Sequence, residues 1–310
     1  MDYIRKNCPQ CNRELAVPAD LRECICMYCG EHFGIEEKNS IELSSEERQR
    51  RVEAYQNSFE RIDELVRDYD KRLARFTRNG YEGCFQEYVK LGEEILLPIE
   101  QYVASVENRE ELIETKITDK LLSVIEKNIN ENKGFLNKNS KSMLIDQHRY
   151  FLAVYLIPML GYLKLELSDR LADCIMESWR KVYPKSEFKK ATYEELAAGF
   201  LRKGFCFITT AVCDSLNKSD DCYELTRLRE FRDTYLMKGT AGRKLVEEYY
   251  QVAPRIVVYL NMQTDRHERY QRLWDQYLQP CLKDIEHGRK IRCKNRYVRM
   301  VRKLQQRLPI

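Results

Sequence analysis

Apolar residues recur every three or four positions along most of this chain, the spacing of helices that each bury one stripe. Val52, Tyr55, Phe59, Ile62, Val66, Tyr69, Leu73 and Phe76 hold one seam, and Ser44 with Glu47 forms a capping box at its start. Asn79-Gly80 ends that helix. Tyr81, Phe85, Tyr88, Ile95, Ile99 and Val103 continue the spacing, so the two segments are expected to fold back as a long antiparallel hairpin. Several of these positions are aromatic, and hairpin core explains them better than a nucleobase-stacking face does. Asn108 and Glu111 open a third helix with Leu112, Ile113, Ile117, Leu121, Val124 and Ile125 inside.

The polar run Asn130 to Ser140 then reads as an exposed loop and a domain boundary. Beyond it the pattern predicts helices over 142–166 and 169–183, and a short one opened by the Thr192–Glu195 capping box. Phe207-Ile208-Thr209-Thr210 fits either an extended piece or a helix start, and a threonine-capped buried helix is the preferred reading. Ser219-Asp220-Asp221 caps the helix carrying Leu225, Leu228 and Phe231, and Gly239 closes it. Thr240 caps the next, which runs to Pro254, and a further helix runs from beyond Thr264 to His287-Gly288. The fold class expected is mainly α, with a small N-terminal β unit (1–40), a helical hairpin or coiled-coil region (41–130) and a C-terminal multi-helix domain (141–310) that ends in a basic helix.

The first 40 residues lack the helical period and carry a different signal. Cys8-Pro9-Gln10-Cys11 is followed, after fourteen residues, by Cys26-Met27-Tyr28-Cys29. Each pair supplies two thiolates from one tight turn, and two such turns close a tetrahedral site for one structural zinc ion. Cys24 is a spare: pairing it with Cys29 instead of Cys26 would widen the turn. Four protein ligands leave no open position, so the site reads as a folding staple and not a catalyst. The segment resembles the zinc-ribbon family, down to Leu15-Ala16-Val17-Pro18 between the turns and Gly30-Glu31-His32-Phe33 after them, with Asn12 where a glycine is usual.

The least generic stretch is Cys206-Phe207-Ile208-Thr209-Thr210-Ala211 together with Leu228-Arg229-Glu230-Phe231-Arg232-Asp233-Thr234-Tyr235-Leu236, Gly242-Arg243 and Tyr249-Tyr250 before Ala253-Pro254. This ordered set, within 205–260, resembles the C-terminal CFI-box domain of bacterial proteins, although Val212-Cys213-Asp214 stands where many relatives have Ala-Tyr-Gly. The resemblance implies a bacterial source and supplies no reaction. Cys206, Thr209, Thr210 and Arg229 are the candidate catalytic residues if thiol chemistry occurs, but a cysteine nucleophile wants a histidine base, and His32, His148, His267 and His287 form no recognisable arrangement with it. Cys206 and Cys213 would share a helix face about 10 Å apart, too far for one metal. Arg227, Arg229, Arg232, Arg243 and Arg255 alternate with Glu224, Glu230, Asp233 and Glu247, which favours a packing network over an anion pocket.

Charge changes the picture at one end only. The net charge is +4, but Arg289 to Ile310 holds nine basic residues and no acid, so the rest of the chain is net negative. A nucleic-acid backbone would meet the tail 289–310 first, and its stripe of Cys293, Tyr297, Val301 and Leu304 or Leu308 would dock it to the body. No run is long and apolar enough to cross a membrane, and Tyr150 to Leu163 reads as a buried core helix. With no apolar leader and metal-spaced cysteines, a reducing cytoplasm is expected. The sequence points to a bacterial zinc-ribbon interaction protein contacting a protein or nucleic-acid partner; the alternative is a cysteine-dependent enzyme or thiol-modified protein centred on Cys206. No nucleotide-binding glycine loop or metalloprotease helix names an enzyme class.

Overall fold

The structure, a computed structural model, describes residues 3–18, 21, 23–34, 44–131, 138–201 and 206–309. It divides into two compact units, 1–50 and 51–310. The expected polar boundary at 130–140 falls mostly on 132–137, outside the described residues, as does Phe205 beside Cys206.

The first unit contains two short antiparallel hairpins. Tyr3–Asn7 pairs with Glu14–Pro18, and Glu23–Ile25 with His32–Gly34. Alternation along Glu14–Pro18 turns Leu15 and Val17 inward, where they join Cys8 and Cys26 in a core too small to hold a fold by apolar burial alone.

The second unit is helical, as its period predicts, with two cores. One gathers side chains from Ile62 to Phe200, together with Met262, and the other runs from Phe207 to Leu308. Helices from the first half of the chain therefore share the Ile62–Phe200 core with those of 144–200. The two cores meet at Tyr259, which packs against both, and through polar contacts: Tyr150 donates to the Arg255 carbonyl at 3.0 Å, Arg255 donates to the Leu73 carbonyl at 3.3 Å, and Tyr259 donates to Asp146 at 3.2 Å.

The seam from Val52 to Phe76 is not one helix. Ser45–Glu60 gives way to a tight three-residue-per-turn segment at Arg61–Leu65, then Asp68 adopts φ +57° before Tyr69–Ala74. Aspartate tolerates that left-handed conformation, so the break carries no glycine or proline to announce it. Buried tyrosines donate to backbone carbonyls on either side of the break: Tyr88 to Leu65 at 2.9 Å, and Tyr155 at 2.8 Å to Arg72, which also accepts the Arg75 amide. These phenols belong to the core, as expected of the aromatic positions, and they also complete the backbone hydrogen bonding.

Several boundaries move. The run predicted over 142–166 starts at Lys138, passes through a wide π turn at Leu152–Leu156, and stops where Lys164 adopts φ +54°. The next helix, Glu166–Val182, is capped from a distance: both carboxylate oxygens of Glu100 accept amides, from Glu166 at 2.7 Å and Leu167 at 3.0 Å. The helix expected to stop at Pro254 continues as Thr240–Asn261, with the proline inside it and Gly239, not Thr240, at its N-cap. The Thr192–Glu195 capping box forms in full, each residue satisfying the other's amide, and Ser44 accepts from the Glu47 amide at 3.1 Å, whereas Asn108 sits at the N-cap of Arg109–Glu111 without a side-chain cap hydrogen bond. Among the described residues no helix is long and apolar enough to cross a membrane.

Candidate metal centre and the Cys206 cavity

Each N-terminal hairpin carries one cysteine turn at its tip. The Cys8 amide donates to Arg13 and the Asn12 amide to Cys8; the second turn repeats this, Cys26 donating to Glu31 and Gly30 to Cys26. The residue after each second cysteine is left-handed, Asn12 at φ +56° and Gly30 at φ +77°. Asparagine is the non-glycine residue that reaches this region most readily, so Asn12 does the work of the usual glycine.

The two turns bring the sulfurs of Cys8, Cys11, Cys26 and Cys29 within 4.8 Å of one another, and these four could hold a metal ion. Cys24 is not among them; its thiol donates to the Ile25 carbonyl at 3.5 Å. Burial raises the Cys26 thiol, but the amides of Tyr28 and Cys29 and the sulfurs of Cys29 and Cys8 outweigh it, bringing its pKa down to about 6. Cys29 moves the other way, to about 12, because burial and the neighbouring sulfurs overcome the Glu31 amide that favours its thiolate. One negative charge is welcome in the cluster and further ones are resisted, which is the electrostatic setting that a cation at the centre relieves.

The other singled-out cysteines lie in the helical unit and are differently placed. Phe207–Ser215 is a buried helix, as preferred, but its N-cap is Cys206, and Thr209 and Thr210 lie inside it with no capping role. Cys206 is 6% exposed and clusters with Cys213, Leu225 and the half-buried Cys222. Burial raises its thiol, against the pull of Arg232 and Arg229. Cys213 is pushed up to about 12, by burial first and then by Cys222. Ser219, Asp220 and Asp221 do not cap the following helix, Tyr223–Phe231, whose N-cap is Cys222.

Arg232, not Arg229, reaches the Cys206 sulfur, at 3.6 Å. Its other nitrogens hold Asp233 at 2.7 and 2.9 Å, and it also donates to the Tyr250 hydroxyl at 3.2 Å. Arg229 turns away to Asp220. Thr209 is fully buried with its hydroxyl 3.2 Å from that of Tyr297, and Tyr297 donates to Tyr249 at 3.4 Å; Tyr249 in turn accepts the Ile208 amide at 3.0 Å. The candidate quartet is thus not assembled: Thr209 joins a tyrosine network and Arg229 an ion pair, while Arg232 and Tyr250 are the polar neighbours of Cys206. Arg232 lies in the same motif one helical turn beyond Arg229, at the start of a π turn, Arg232–Leu236, that no residue pattern announces.

Gly242-Arg243 is a packing device. A Cβ on Gly242 would lie 2.0 Å from the Leu236 carbonyl oxygen, and Arg243 donates to the Met237 and Lys238 carbonyls at 3.1 and 3.4 Å, closing the end of the preceding helix.

The basic tail forms the helix Lys290–Gln305, with Cys293, Met300, Val301 and Leu304 buried. Its first half is anchored by one acid that is 2% exposed, Asp284, on which Arg289 at 3.0 Å, Arg292 at 3.7 Å and Arg296 at 3.2 Å converge. No protein-family model matches this chain, and neither a curated protein nor a solved structure does.

Proposed function

We propose that this chain is a bacterial cytoplasmic interaction protein in which one zinc ion, held by Cys8, Cys11, Cys26 and Cys29, fixes a zinc ribbon that docks on a protein partner. A zinc–sulfur bond of about 2.3 Å puts tetrahedral sulfurs about 3.8 Å apart. Cys8 to Cys29 is 3.5 Å, Cys11 to Cys26 is 3.7 Å and every pair lies within 4.8 Å, so shifts of about 1 Å or less bring the sulfurs to that spacing. The zinc would supply folding energy and no open coordination position.

The observation that carries the docking role is the second hairpin's surface. Ile25 (63%), Met27 (79%) and Tyr28 (53%) are exposed in this hairpin and Leu21 (46%) just before it, on a unit with hardly any core, and grouped exposed apolar side chains mark interaction sites. Met27 and Tyr28 sit between two ligand cysteines, so metal and docking face form together. Against thiol catalysis at Cys206 stand its raised pKa and the lack of a histidine beside it. The tail's arginines on Asp284 also favour a structural part for its first half over nucleic-acid binding.

Elemental analysis of protein purified without chelator is expected to give one zinc per chain, absent after Cys11→Ser with Cys29→Ser. Met27→Asp with Ile25→Asp is expected to keep the zinc and the helical fold. A partner crosslinked by the natural chain from bacterial lysate should be lost with that variant, and one retained by it, or one removed by nuclease, contradicts the reading.

A further inference from the structure

A largely apolar cavity of about 360 Å³ opens beside Cys206. Its walls come from three separate helical segments, and Leu228, Phe231, Val246, Val252, Val298 and Val301 give them their character, with Cys206 and Arg232 at one side. Gly242 lets the segment carrying Leu236 close against the start of the Thr240–Asn261 helix, and both Leu236 and Leu245 line the cavity. The size falls within the range of small-molecule sites, about 300–1,000 Å³, which are mostly apolar with a few placed polar groups.

The charged groups here are of one sign apart from an exposed acid, Glu248, and Tyr249, Gln251, Tyr297 and Gln305 are neutral polar neighbours. Arg232 is committed to Asp233, Tyr250 and the Cys206 sulfur. Lys294, half-buried, and Arg302, exposed, also line the cavity, and among the described residues neither has a carboxylate within ion-pair distance. On the same helix Arg292 and Arg296 share Asp284 with Arg289 at the N-cap, while Arg299 and Lys303, which like Lys294 and Arg302 have no carboxylate within ion-pair distance among the described residues, lie outside the cavity. An apolar chamber with unneutralised cations at its border suits a ligand that is apolar along its length and anionic at one end.

We propose that this cavity binds one amphipathic anion of the fatty-acid class, with the acyl chain among the valines and phenylalanine and the carboxylate on the half-buried Lys294, while Arg302, two helical turns along at the rim, adds attraction from a distance. The chain lies against Cys206, so occupancy covers the thiol, and no covalent step is involved. A charge-assisted contact retained at a half-buried lysine is worth about tenfold in affinity.

The probes are octanoate, decanoate and dodecanoate, with dodecanol as the neutral chain and acetate as the chainless anion, titrated by calorimetry into the metal-loaded full chain. Saturable binding of one dodecanoate per chain is expected, with acetate silent and dodecanol about tenfold weaker. Lys294→Gln with Arg302→Gln should bring dodecanoate down to the alcohol's affinity and leave the alcohol unchanged. Val252→Trp and, separately, Val298→Trp should abolish both, each checked for an unchanged helical signal. In the natural protein bound dodecanoate should slow Cys206 alkylation further, a readout that needs no variant. Equal binding of the alcohol overturns the anionic assignment. No binding, binding untouched by a folded tryptophan variant, or an alkylation rate indifferent to dodecanoate overturns the site.

Discussion

The chain uses cysteine in two physically opposite ways. In the N-terminal hairpins four thiols converge from two turns, backbone amides lean towards the sulfurs, and the surrounding core is minimal. Around Cys206 the cysteines pack among apolar side chains, ionisation of the Cys206 and Cys213 thiols is disfavoured, and the helices beside them are held by packing, tyrosine hydroxyls and paired arginines. The first arrangement exposes sulfur lone pairs to a shared point and depends on what occupies it. The second hides sulfur and would stand without any ligand. A cysteine's role is thus set by whether the backbone turns its neighbours towards the same point, and only the first kind of turn is written in a short spacing.

The contrast is most sharply broken by removing the metal. Chelation, or Cys11→Ser with Cys29→Ser, is expected to unfold the hairpins of 3–34 while the helical unit stays folded. Metal binding to small sites of this kind supplies about 10 kcal/mol or more of folding free energy, far beyond what Leu15 and Val17 contribute. Amide hydrogen exchange resolved by segment would show it; loss of protection throughout 51–309 would make the two units one.

In the helical unit the largest effect of a single side chain is expected at Asp284. Asp284→Asn keeps the shape and removes the anion beneath Arg289, Arg292 and Arg296, at a cost of about 3 kcal/mol, since the acid is buried and its partners are partly solvated. Denaturant unfolding should record the loss, with zinc content unchanged.

A comparable effect is expected from acid. His148 is fully buried against the Tyr69 ring, both its nitrogens lack a hydrogen-bond partner among the described residues, and burial lowers its pKa from 6.5 to about 4. The fold favours the neutral ring, so this stability is complete above pH 6.5 and is lost as pH falls through about 4, amounting to about 3 kcal/mol. Stability measured against pH should lose that limb in His148→Phe, which can keep the contact with Tyr69.

Gly242→Ala is expected to cost less, about 1–3 kcal/mol, because the added methyl meets the Leu236 carbonyl and the helix start must shift. The midpoint of thermal unfolding should fall, and a stabilised variant would mean that the close approach is not maintained in solution.

What the sequence disclosed follows the same divide. The cysteine turns, the Ser44 and Thr192 caps and the stripe of the last helix are local, so a few neighbouring residues determine them. The left-handed breaks at Asp68 and Lys164 lie on residues that can adopt that conformation without being chosen for it. Capping of Glu166 and Leu167 by Glu100 joins positions far apart in the chain. The cavity beside Cys206 needs side chains from three helices, and the approach of Arg232 to the thiol joins positions 26 residues apart. None of these is carried by a spacing. The even alternation of arginines and acids did disclose a network, although its partners differ: Arg229 takes Asp220 and Arg255 a backbone carbonyl.

The central claim, that one set of cysteines is a metal staple and the other an unreactive core, is tested most directly by alkylation rates at each cysteine, read by mass spectrometry before and after chelation. With zinc bound, Cys8, Cys11, Cys26 and Cys29 should all be protected while Cys24 reacts, and Cys206 should react more slowly than in the unfolded chain. After chelation the four should become reactive together, with Cys206 unchanged. Protection of Cys24 in place of Cys26, or a Cys206 that outpaces the unfolded control below pH 8, would contradict the account.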